Sequence, residues 1–325
     1  MKWIVSDSPI SFPGLGIEID PPEGLAFGAF DIKFYGIIIA IGLLLACWYG
    51  LRRKKVFGLT EDDILDGALM IIPFAVICAR LYYCAFSWSE YKADPITILY
   101  IWKGGLAIYG GVIGAAIGIV VYCLFKKLPI PTVLDITAVS FLIGQSIGRW
   151  GNFFNREAFG AVTDNFLRMG LYLTEDRIST SQIHYYHPTF LYESVWNAVG
   201  FVLLHFMTKR RKYDGQIALG YAAWYGLGRC FIEGLRTDSL YWGPVRVSQM
   251  LAAVSCFAAV AVLVIMAFRE HKPERLYVNR VAAMEAAAAE EKTEEEISEE
   301  TTEETTEETT EETTEETTEE TTEEE

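Results

Sequence analysis

The segment Gly148–Gly160 places several chemically capable side chains at the end of an apolar stretch. Arg149 offers a planar fork of donors that suits phosphate or carboxylate, and Asn152 and Asn155 add neutral donors. Glu157 can transfer a proton or hold an arginine in place. A charged side chain at membrane depth costs roughly 2.5–3.5 kcal/mol on insertion scales, so such residues mark functional sites by default. The segment therefore predicts a functional site.

Seven apolar stretches near the ~20 residues needed to cross a bilayer surround this segment. They cover residues 34–51, 67–86, 106–125, 133–148, 189–208, 216–233 and 247–268. The fourth is the shortest, and it carries Asp135 and Gln145. The pattern predicts an all-α polytopic membrane protein with seven transmembrane helices within residues 34–268, and residues 161–186 as a small extracytoplasmic subdomain.

Basic residues predict how these helices are oriented. Clusters follow the first, third, fifth and seventh stretches, at 52–55, 126–127, 209–212, and at Arg269 with Lys272. With seven spans all four clusters lie on one side, which the positive-inside rule assigns to the cytoplasm. Residues 1–33 are then an extracytoplasmic N-terminal segment, and residues 269–325 are a cytoplasmic tail.

The formal net charge of −16 comes from the C-terminal tail and not from the rest of the chain. From Glu285 onward there are 21 glutamates and one lysine, so residues 1–284 carry a net charge of +4. The tail repeats Thr-Thr-Glu-Glu and holds almost no apolar residue after Ile297. Such a composition cannot bury enough surface to offset its ordering entropy. We expect it to be disordered from about residue 290.

Given the seven-span topology, polar residues inside or beside the spans gather at the outer ends. They are Tyr35, Arg80, Tyr109, Arg149, Asn152, His187, Arg229, Glu233 and Gln249. Simpler interpretations exist for several of them. Arg80 and Arg229 can be snorkelling anchors, Arg229 and Glu233 can be an i,i+4 structural pair, and the tyrosines can belong to an interfacial belt. Arg149 beside two amides is the hardest to explain as an anchor.

The pattern Gly-Arg-x-Gly-Asn-Phe-x-Asn-x-Glu-x-x-Gly in this segment resembles the signature of the prolipoprotein diacylglyceryl transferases. Four further segments resemble motifs of that family in the same order, namely 34–36, 104–111, 187–193 and 225–236. The resemblance covers residues 30–270. It implies transfer of the diacylglyceryl group of phosphatidylglycerol to the lipobox cysteine thiol of prolipoproteins, the first step of lipoprotein maturation in the bacterial plasma membrane.

Residue roles follow from the resemblance and from side-chain chemistry. We expect catalytic roles for Arg149, Arg229, Asn152, Tyr35, Glu157 and Glu233. We expect substrate contacts from Arg149, Asn152, Asn155, Gly160, Tyr109, Gly110, His187, Tyr225 and Arg236. The two leading arginines, Arg149 and Arg229, would bind the phosphate. The two glutamates either hold the arginines in register or relay the proton.

Tyr109 departs from the family pattern, because many members carry histidine at this position. A phenol with a pKa of about 10 is a poor base at neutral pH. Either the base for the thiol lies elsewhere, or this position only hydrogen-bonds the substrate. We favour the second interpretation.

Three other protein classes fit less well. A transporter predicts charges near the midplane on broken helices in two matching halves, which this chain does not show. A CDP-alcohol phosphotransferase requires an Asp-rich metal motif that does not follow Asp66, and a receptor has no use for the polar cluster. The sequence contains no Walker loop, no Gly-x-Gly-x-x-Gly and no Cys-x-x-Cys, so we expect no cofactor, metal or nucleic-acid partner.

Overall fold

The computed structural model of the chain describes residues 2–4, 9–27, 30–172, 183–237, 241–243 and 245–294. Within these ranges the helices are α1 Phe34–Phe57, α2 Glu61–Phe86, α3 Trp88–Tyr91, α4 Ile108–Lys126, α5 Ile130–Phe154, α6 Thr189–Met207, α7 Gln216–Leu235 and α8 Val247–Ala267. A further helix covers residues 277–294. The acidic repeat that we expect to be disordered lies almost wholly outside the described residues.

Seven of the described helices, α1, α2 and α4–α8, correspond to the seven predicted spans, which confirms a polytopic helical membrane fold. Six are long and apolar enough to cross a membrane, and α7 is the exception. Several helices extend beyond the apolar stretches that predicted them. The helix α1 continues through Arg52–Lys55, and α5 includes Arg149 and Asn152. Charged residues thus end the apolar pattern without ending the helix.

Asp135, the acidic residue within the fourth predicted span, is fully buried in α5. Its carboxylate accepts hydrogen bonds from the backbone N–H groups of Gly215 and Ala218, both at 2.8 Å. These donors lie at the start of α7 and have no partner within their own helix. One buried acid therefore caps a neighbouring helix and fixes α7 against α5.

Glycines bring several helices into close contact. A Cβ atom at Gly110 would lie 2.4 Å from the Cβ of Tyr82, and one at Gly114 would lie 2.5 Å from the Cβ of Cys78. Both positions therefore require glycine for α4 to approach α2, as small residues commonly allow in membrane helices. The side chains of α5 also pack into a shared core with α1, α6 and α7, which includes Tyr49, Val139, Leu142, Leu204 and Ile217.

The four basic clusters meet at one end of the bundle, which we call the basic end. Arg53 of α1 donates to Thr208 Oγ1 at 2.6 Å, and the Arg211 guanidinium stacks over Phe57. Lys126 pairs with Asp66 near the start of α2 at 2.6 Å. The segment after α8 joins them through the stacked rings of His271 and Tyr213, 4.7 Å apart. We call the opposite end, where α1 begins and α5 ends, the site end.

Short strands lie outside the helical bundle, and the sequence did not predict them. They are β1 Lys2–Ile4, β2 Ile10–Phe12, β3 Ile17–Ile19, β4 Gly24–Phe27, β5 Phe30–Lys33, β6 Met169–Leu171, β7 His184–Tyr186, β8 Tyr241–Trp242 and β9 Val245–Arg246. They form three antiparallel sheets within the described residues, in the orders β1-β4-β5, β3-β2-β6-β7 and β8-β9. Strands of two to four residues leave too little alternation to detect in a sequence.

The four-stranded sheet unites two parts of the chain that we had treated separately. β2 belongs to the N-terminal segment and pairs with β6 from the loop between α5 and α6. Ile10, Phe12, Met169 and Leu171 form a buried cluster with Phe153 of α5 and Phe190 of α6. The subdomain at the site end is therefore made jointly by the N-terminal segment and the described parts of the loop, residues 161–172 and 183–186.

Candidate active site

Glu193, in the second turn of α6, is the centre of the polar cluster at the site end. Its Oε2 lies 2.5 Å from Arg149 Nη2 of α5. Its Oε1 lies 3.0 Å from Arg229 Nη1 of α7 and 3.5 Å from Arg236 Nη1, just after α7. Glu193 is only 4% exposed, so its charge depends on these partners. Three arginines, one near the end of α5 and two at the end of α7, thus share one carboxylate.

Glu233 adds a second buried carboxylate to this cluster. Its Oε2 lies 2.5 Å from Arg229 Nη2, one turn earlier in α7, and the residue is 1% exposed. Its backbone carbonyl also accepts a hydrogen bond from Arg246 Nη1. Three arginines therefore converge on two buried glutamates. The arginine side chains are partly exposed, so an anionic ligand can reach them.

Reciprocal contacts between helices hold the arginine cluster in place. Trp196 of α6 and Trp224 of α7 stack at 4.3 Å, and each indole N–H donates to the backbone carbonyl of the other residue. Each ring also lies over a glycine of the opposite helix, where any Cβ would collide with the indole nitrogen. These reciprocal contacts fix the face of α6 that carries Glu193 against the face of α7 that carries Arg229.

A similar contact fixes α5 against α6. Ser146 Oγ donates to the carbonyl of Ser194 at 2.9 Å, and Ser194 Oγ donates to the carbonyl of Ser146 at 2.8 Å. Trp150 Nε1 donates to Ser194 Oγ at 3.2 Å. Arg149 and Glu193 are the immediate neighbours of these residues in sequence. Their ion pair is therefore set by the helix packing around it.

The end of the signature segment forms a second polar group beside the arginines. Glu157 Oε1 accepts hydrogen bonds from Asn152 Nδ2 at 3.0 Å and from Asn155 Nδ2 at 3.2 Å. Arg156 and Ala158, on either side of Glu157, have positive φ angles of 52° and 55°. Residues other than glycine seldom adopt this conformation, and such strain is often found at functional sites.

Tyr35, in the first turn of α1, links the two polar groups. Its phenol lies within electrostatic range of both Glu157 and Arg149. Its ring packs on Gly151, where a Cβ would lie only 2.7 Å from the Tyr35 ring. The glycine in the signature therefore allows the tyrosine ring to approach α5 closely.

Gly160 and His187 organise the loop beside the cluster. The Gly160 N–H donates to the His187 carbonyl at 2.9 Å, and Gly160 pairs with Arg236 in an isolated β-bridge. His187 Nδ1 lies 3.1 Å from Asn165 Nδ2 and 3.4 Å from the Tyr192 hydroxyl. Burial lowers the pKa of His187. The Ala161 N–H also donates to the Leu235 carbonyl at 2.7 Å, so the loop holds the chain at and just before Arg236.

Three predicted substrate contacts occupy other surroundings. The Tyr109 hydroxyl lies 2.9 Å from Ser248 Oγ, so it bridges the first turns of α4 and α8. Gly110 packs against α2, as described above. Tyr225 stacks on Tyr221 within α7, with ring centroids 5.6 Å apart. Substrate contact by these residues stays a prediction, as do the catalytic assignments.

Arg80 has a structural environment. Its guanidinium donates to four backbone carbonyls, those of Thr97, Ile98, Gly104 and Gly105, at 2.7–2.9 Å. It also stacks over the Tyr91 ring. These contacts hold the connection between α2 and α4, so Arg80 has a structural role, but its buried head group does not snorkel to water.

Sequence reasoning missed Glu193 as a site residue. It lies at the end of the His187–Glu193 segment, which resembles a motif of the family. The available signal was a carboxylate in the first turns of an apolar helix, at the same depth as the arginines. Arg246 was missed as well, because it lies in a short strand before α8. No cluster of three or more potential metal ligands occurs in the described parts of the chain.

The fold and site together define an integral-membrane protein with a cluster of arginines and buried glutamates at one end of its helical bundle. Comparison with known proteins identifies the family within this class. A model of the family described as prolipoprotein diacylglyceryl transferase matches residues 22–265. This chain belongs to that family.

Curated relatives are similar over most of their length. A protein of Limosilactobacillus reuteri is 43% identical over 264 residues, which cover 80% of this chain and 95% of the relative. One of Enterococcus faecalis is 43% identical over 265 residues, covering 79% and 94%. One of Listeria monocytogenes is 38% identical over 262 residues, covering 80% and 95%. All three are named phosphatidylglycerol–prolipoprotein diacylglyceryl transferase.

Proposed function

We propose that this protein transfers the diacylglyceryl group of phosphatidylglycerol to the lipobox cysteine thiol of prolipoproteins. The observation that carries the proposal is the convergence of Arg149, Arg229 and Arg236 on the buried Glu193. Family membership and the names of the relatives support the same reaction. No second function has a comparable observation in its favour.

The arginine cluster suits the phosphate of the lipid headgroup. Arginine remains charged in a low-dielectric environment and binds phosphate through two parallel N–H groups. Arg149 and Arg229 bind the phosphodiester, and their guanidinium groups stabilise the negative charge that develops on the leaving group. Glu193 and Glu233 hold the arginines in register, because both carboxylates are already paired with guanidinium groups.

The reaction exchanges one bond to carbon for another. The cysteine sulfur loses its proton and attacks the carbon of the diacylglyceryl unit that bears the phosphate oxygen. A thioether C–S bond forms as the C–O bond breaks, and glycerol phosphate leaves with the electron pair. Thiolate is the reactive species, so the site must accept a proton. We assign this role to Glu157, because the side-chain amides of Asn152 and Asn155, rather than an arginine, donate to its carboxylate. Tyr35 positions the headgroup between Glu157 and Arg149.

We also infer the orientation in the bilayer. The basic end faces the cytoplasm by the positive-inside rule, so the site end and the N-terminal segment lie outside. Large apolar side chains are exposed along α1, α2, α4 and α8, as expected for lipid contact. The acyl chains of the substrate remain among these helices while the headgroup reaches the arginines.

Purified protein incubated with phosphatidylglycerol and a lipobox peptide tests the function. We expect the peptide to gain the mass of one diacylglyceryl group, with release of an equal amount of glycerol phosphate. A peptide with serine in place of the cysteine is the matched control and gains nothing. Absence of a mass gain on the cysteine peptide, in folded protein with lipid present, would overturn the proposal.

A further inference from the structure

The turn that presents Glu157 is held in an unfavourable backbone conformation. Arg156 and Ala158 both have positive φ angles, and neither is a glycine. Such a conformation persists only where the surrounding structure enforces it. On one side, Thr189 Oγ1 of α6 donates to the Ala158 carbonyl. On the other side, the Glu157 N–H donates to the Asn152 carbonyl at 3.0 Å.

A third restraint comes from the N-terminal segment, 136 residues away in sequence. Arg156 Nη2 donates to Asp20 Oδ1 at 3.0 Å and to the Pro21 carbonyl at 2.9 Å. Its Nη1 donates to the Phe154 carbonyl at 3.1 Å. The Arg156 side chain is 6% exposed although Asp20 is 39% exposed. A buried guanidinium therefore connects the strained turn to a segment outside the bundle.

This connection is separate from the packing that stabilises the subdomain. The buried cluster of Ile10, Phe12, Met169 and Leu171 holds the N-terminal segment to the loop through apolar contacts. The Asp20 contact lies beyond that cluster, at the end of β3. Its loss should leave the subdomain folded while allowing the turn to relax.

We propose that Arg156 and Asp20 are positioning residues that set the orientation of Glu157 for the transfer reaction. The inference rests on the proposed function, because Glu157 is taken there as the proton acceptor. Neither residue contacts substrate in this proposal. The contact of Arg156 with Asp20 and Pro21, which we call the tether, restricts Glu157 and the amides that bind it to one arrangement. Small misplacements of a reacting group reduce rates strongly.

Arg156→Gly is the most informative variant, since glycine adopts a positive φ without steric cost. It removes the tether without adding backbone strain. We expect kcat to fall about tenfold, which is less than the ~100-fold that a 1 Å misplacement can cost. KM for phosphatidylglycerol and for the peptide should stay within about twofold, because the arginine cluster is untouched. The melting temperature should fall somewhat, because the Pro21 and Phe154 carbonyls lose their donor, so kcat is measured per folded molecule.

Two partner variants and one control complete the experiment. Asp20→Asn should lower kcat by a smaller factor, because the contacts of Arg156 with Pro21 and Phe154 survive. The double variant should be no slower than Arg156→Gly, since both changes remove one interaction. Glu18→Gln changes an exposed carboxylate of the same segment and should leave kcat within about twofold.

Hydrogen exchange of the amides of residues 155–161 gives a readout that does not depend on activity. We expect faster exchange there in Arg156→Gly and Asp20→Asn, with the rest of the subdomain unchanged. Unchanged exchange, or faster exchange with normal kcat, would overturn the positioning role. So would a fall in kcat that only follows a fall in folded protein. If the parent protein transfers nothing, the proposed function fails, and the exchange data still decide whether the tether orders the turn.

Discussion

Glu193 of α6 and Arg229 of α7 face each other across a helix interface, with 3.0 Å between Oε1 and Nη1. The stacked Trp196 and Trp224 lie one turn further along the same interface. Because these contacts leave the two helices little freedom, the ion pair has one geometry. Glu193 thus determines the direction in which the remaining N–H groups of the arginines point.

Replacement of Glu193 should therefore distinguish its effect on the orientation of the arginines from its effect on the stability of the fold. Glu193→Gln retains the volume of the side chain and removes its charge. We expect transfer to fall by about 10- to 100-fold, the range seen when groups that orient metal ligands are removed. Glu193→Ala should also destabilise the protein, by up to ~3–5 kcal/mol, because three largely buried guanidinium groups lose a partner.

Transfer assays and thermal unfolding in detergent measure both effects. Glu61→Gln is the matched control, because Glu61 forms an exposed ion pair with Lys54, which contributes at most about 1 kcal/mol. Unchanged transfer in folded Glu193→Gln protein would show that the shared carboxylate does not orient the arginines.

The arginines themselves should be more sensitive. Loss of a preorganised donor to a developing negative charge costs on the order of 10²–10³ in rate. Arg149→Ala should therefore abolish detectable transfer in folded protein, and Arg149→Lys should recover little because lysine lacks the bidentate fork. Arg229→Ala should be similarly damaging. The double variant should lose less than the sum of the two effects, since both arginines share Glu193 and the phosphate.

Arg80→Ala provides the contrast for this series. Its four carbonyl contacts predict loss of folded protein, with little change in turnover per folded molecule. Near-normal turnover by folded Arg149→Ala protein would contradict the assignment of Arg149 to the phosphate.

Much of the fold follows from features that a sequence displays directly. Apolar stretches and basic clusters predicted seven helices and one common basic end, because both depend on local composition. The contacts of Asp135 could not be predicted, since its partners begin α7 and are about 80 residues away. The strands also escaped prediction, because pairing of β2 with β6 depends on contacts between distant segments.

The candidate site was predictable in part for the same reason. Arg149, Asn152, Asn155 and Glu157 lie in one segment, so their types and spacing identified them together. Glu193 gained its importance only from three arginines that approach it from other elements. Arg156 shows the limit most clearly, because its partner Asp20 lies in a segment without any recognised motif.

Tyr109 and Ser248 form a hydrogen bond that tests whether the phenol takes part in the chemistry. If the phenol only bridges α4 and α8, Tyr109→Phe and Ser248→Ala should have small and similar effects. A neutral hydrogen bond contributes about 0.5–1.5 kcal/mol, or roughly tenfold at most. Tyr109→Ala should be more harmful, because it also removes the packing of the ring.

Turnover and lipid binding of the three variants distinguish the possibilities. General-base chemistry contributes roughly 10²–10⁴-fold. If Tyr109→Phe loses activity on that scale while Ser248→Ala is nearly normal and both bind lipid, the phenol participates in the reaction.

His187 predicts how the loop beside the site responds to acid. Burial lowers its pKa below the ordinary value of about 6.5, so the imidazole is neutral in the folded protein at pH 7. In the unfolded chain the same group takes up a proton at a higher pH. Unfolding therefore binds a proton in the interval between the two pKa values, and the stability from this group is present above about pH 6.5 and is lost as the pH falls through the folded pKa.

Thermal unfolding between pH 8 and pH 5 measures this contribution against His187→Gln. The amide of glutamine can still meet Asn165 and Tyr192, but it does not titrate. The parent should lose stability more steeply below about pH 6.5, by up to ~1.4 kcal/mol per pH unit for one proton. His184→Gln, at an exposed position in β7, should follow the parent curve. Parallel curves for the parent and His187→Gln would show that carboxylates elsewhere cause the acid sensitivity, and that His187 does not couple protonation to the structure of the loop.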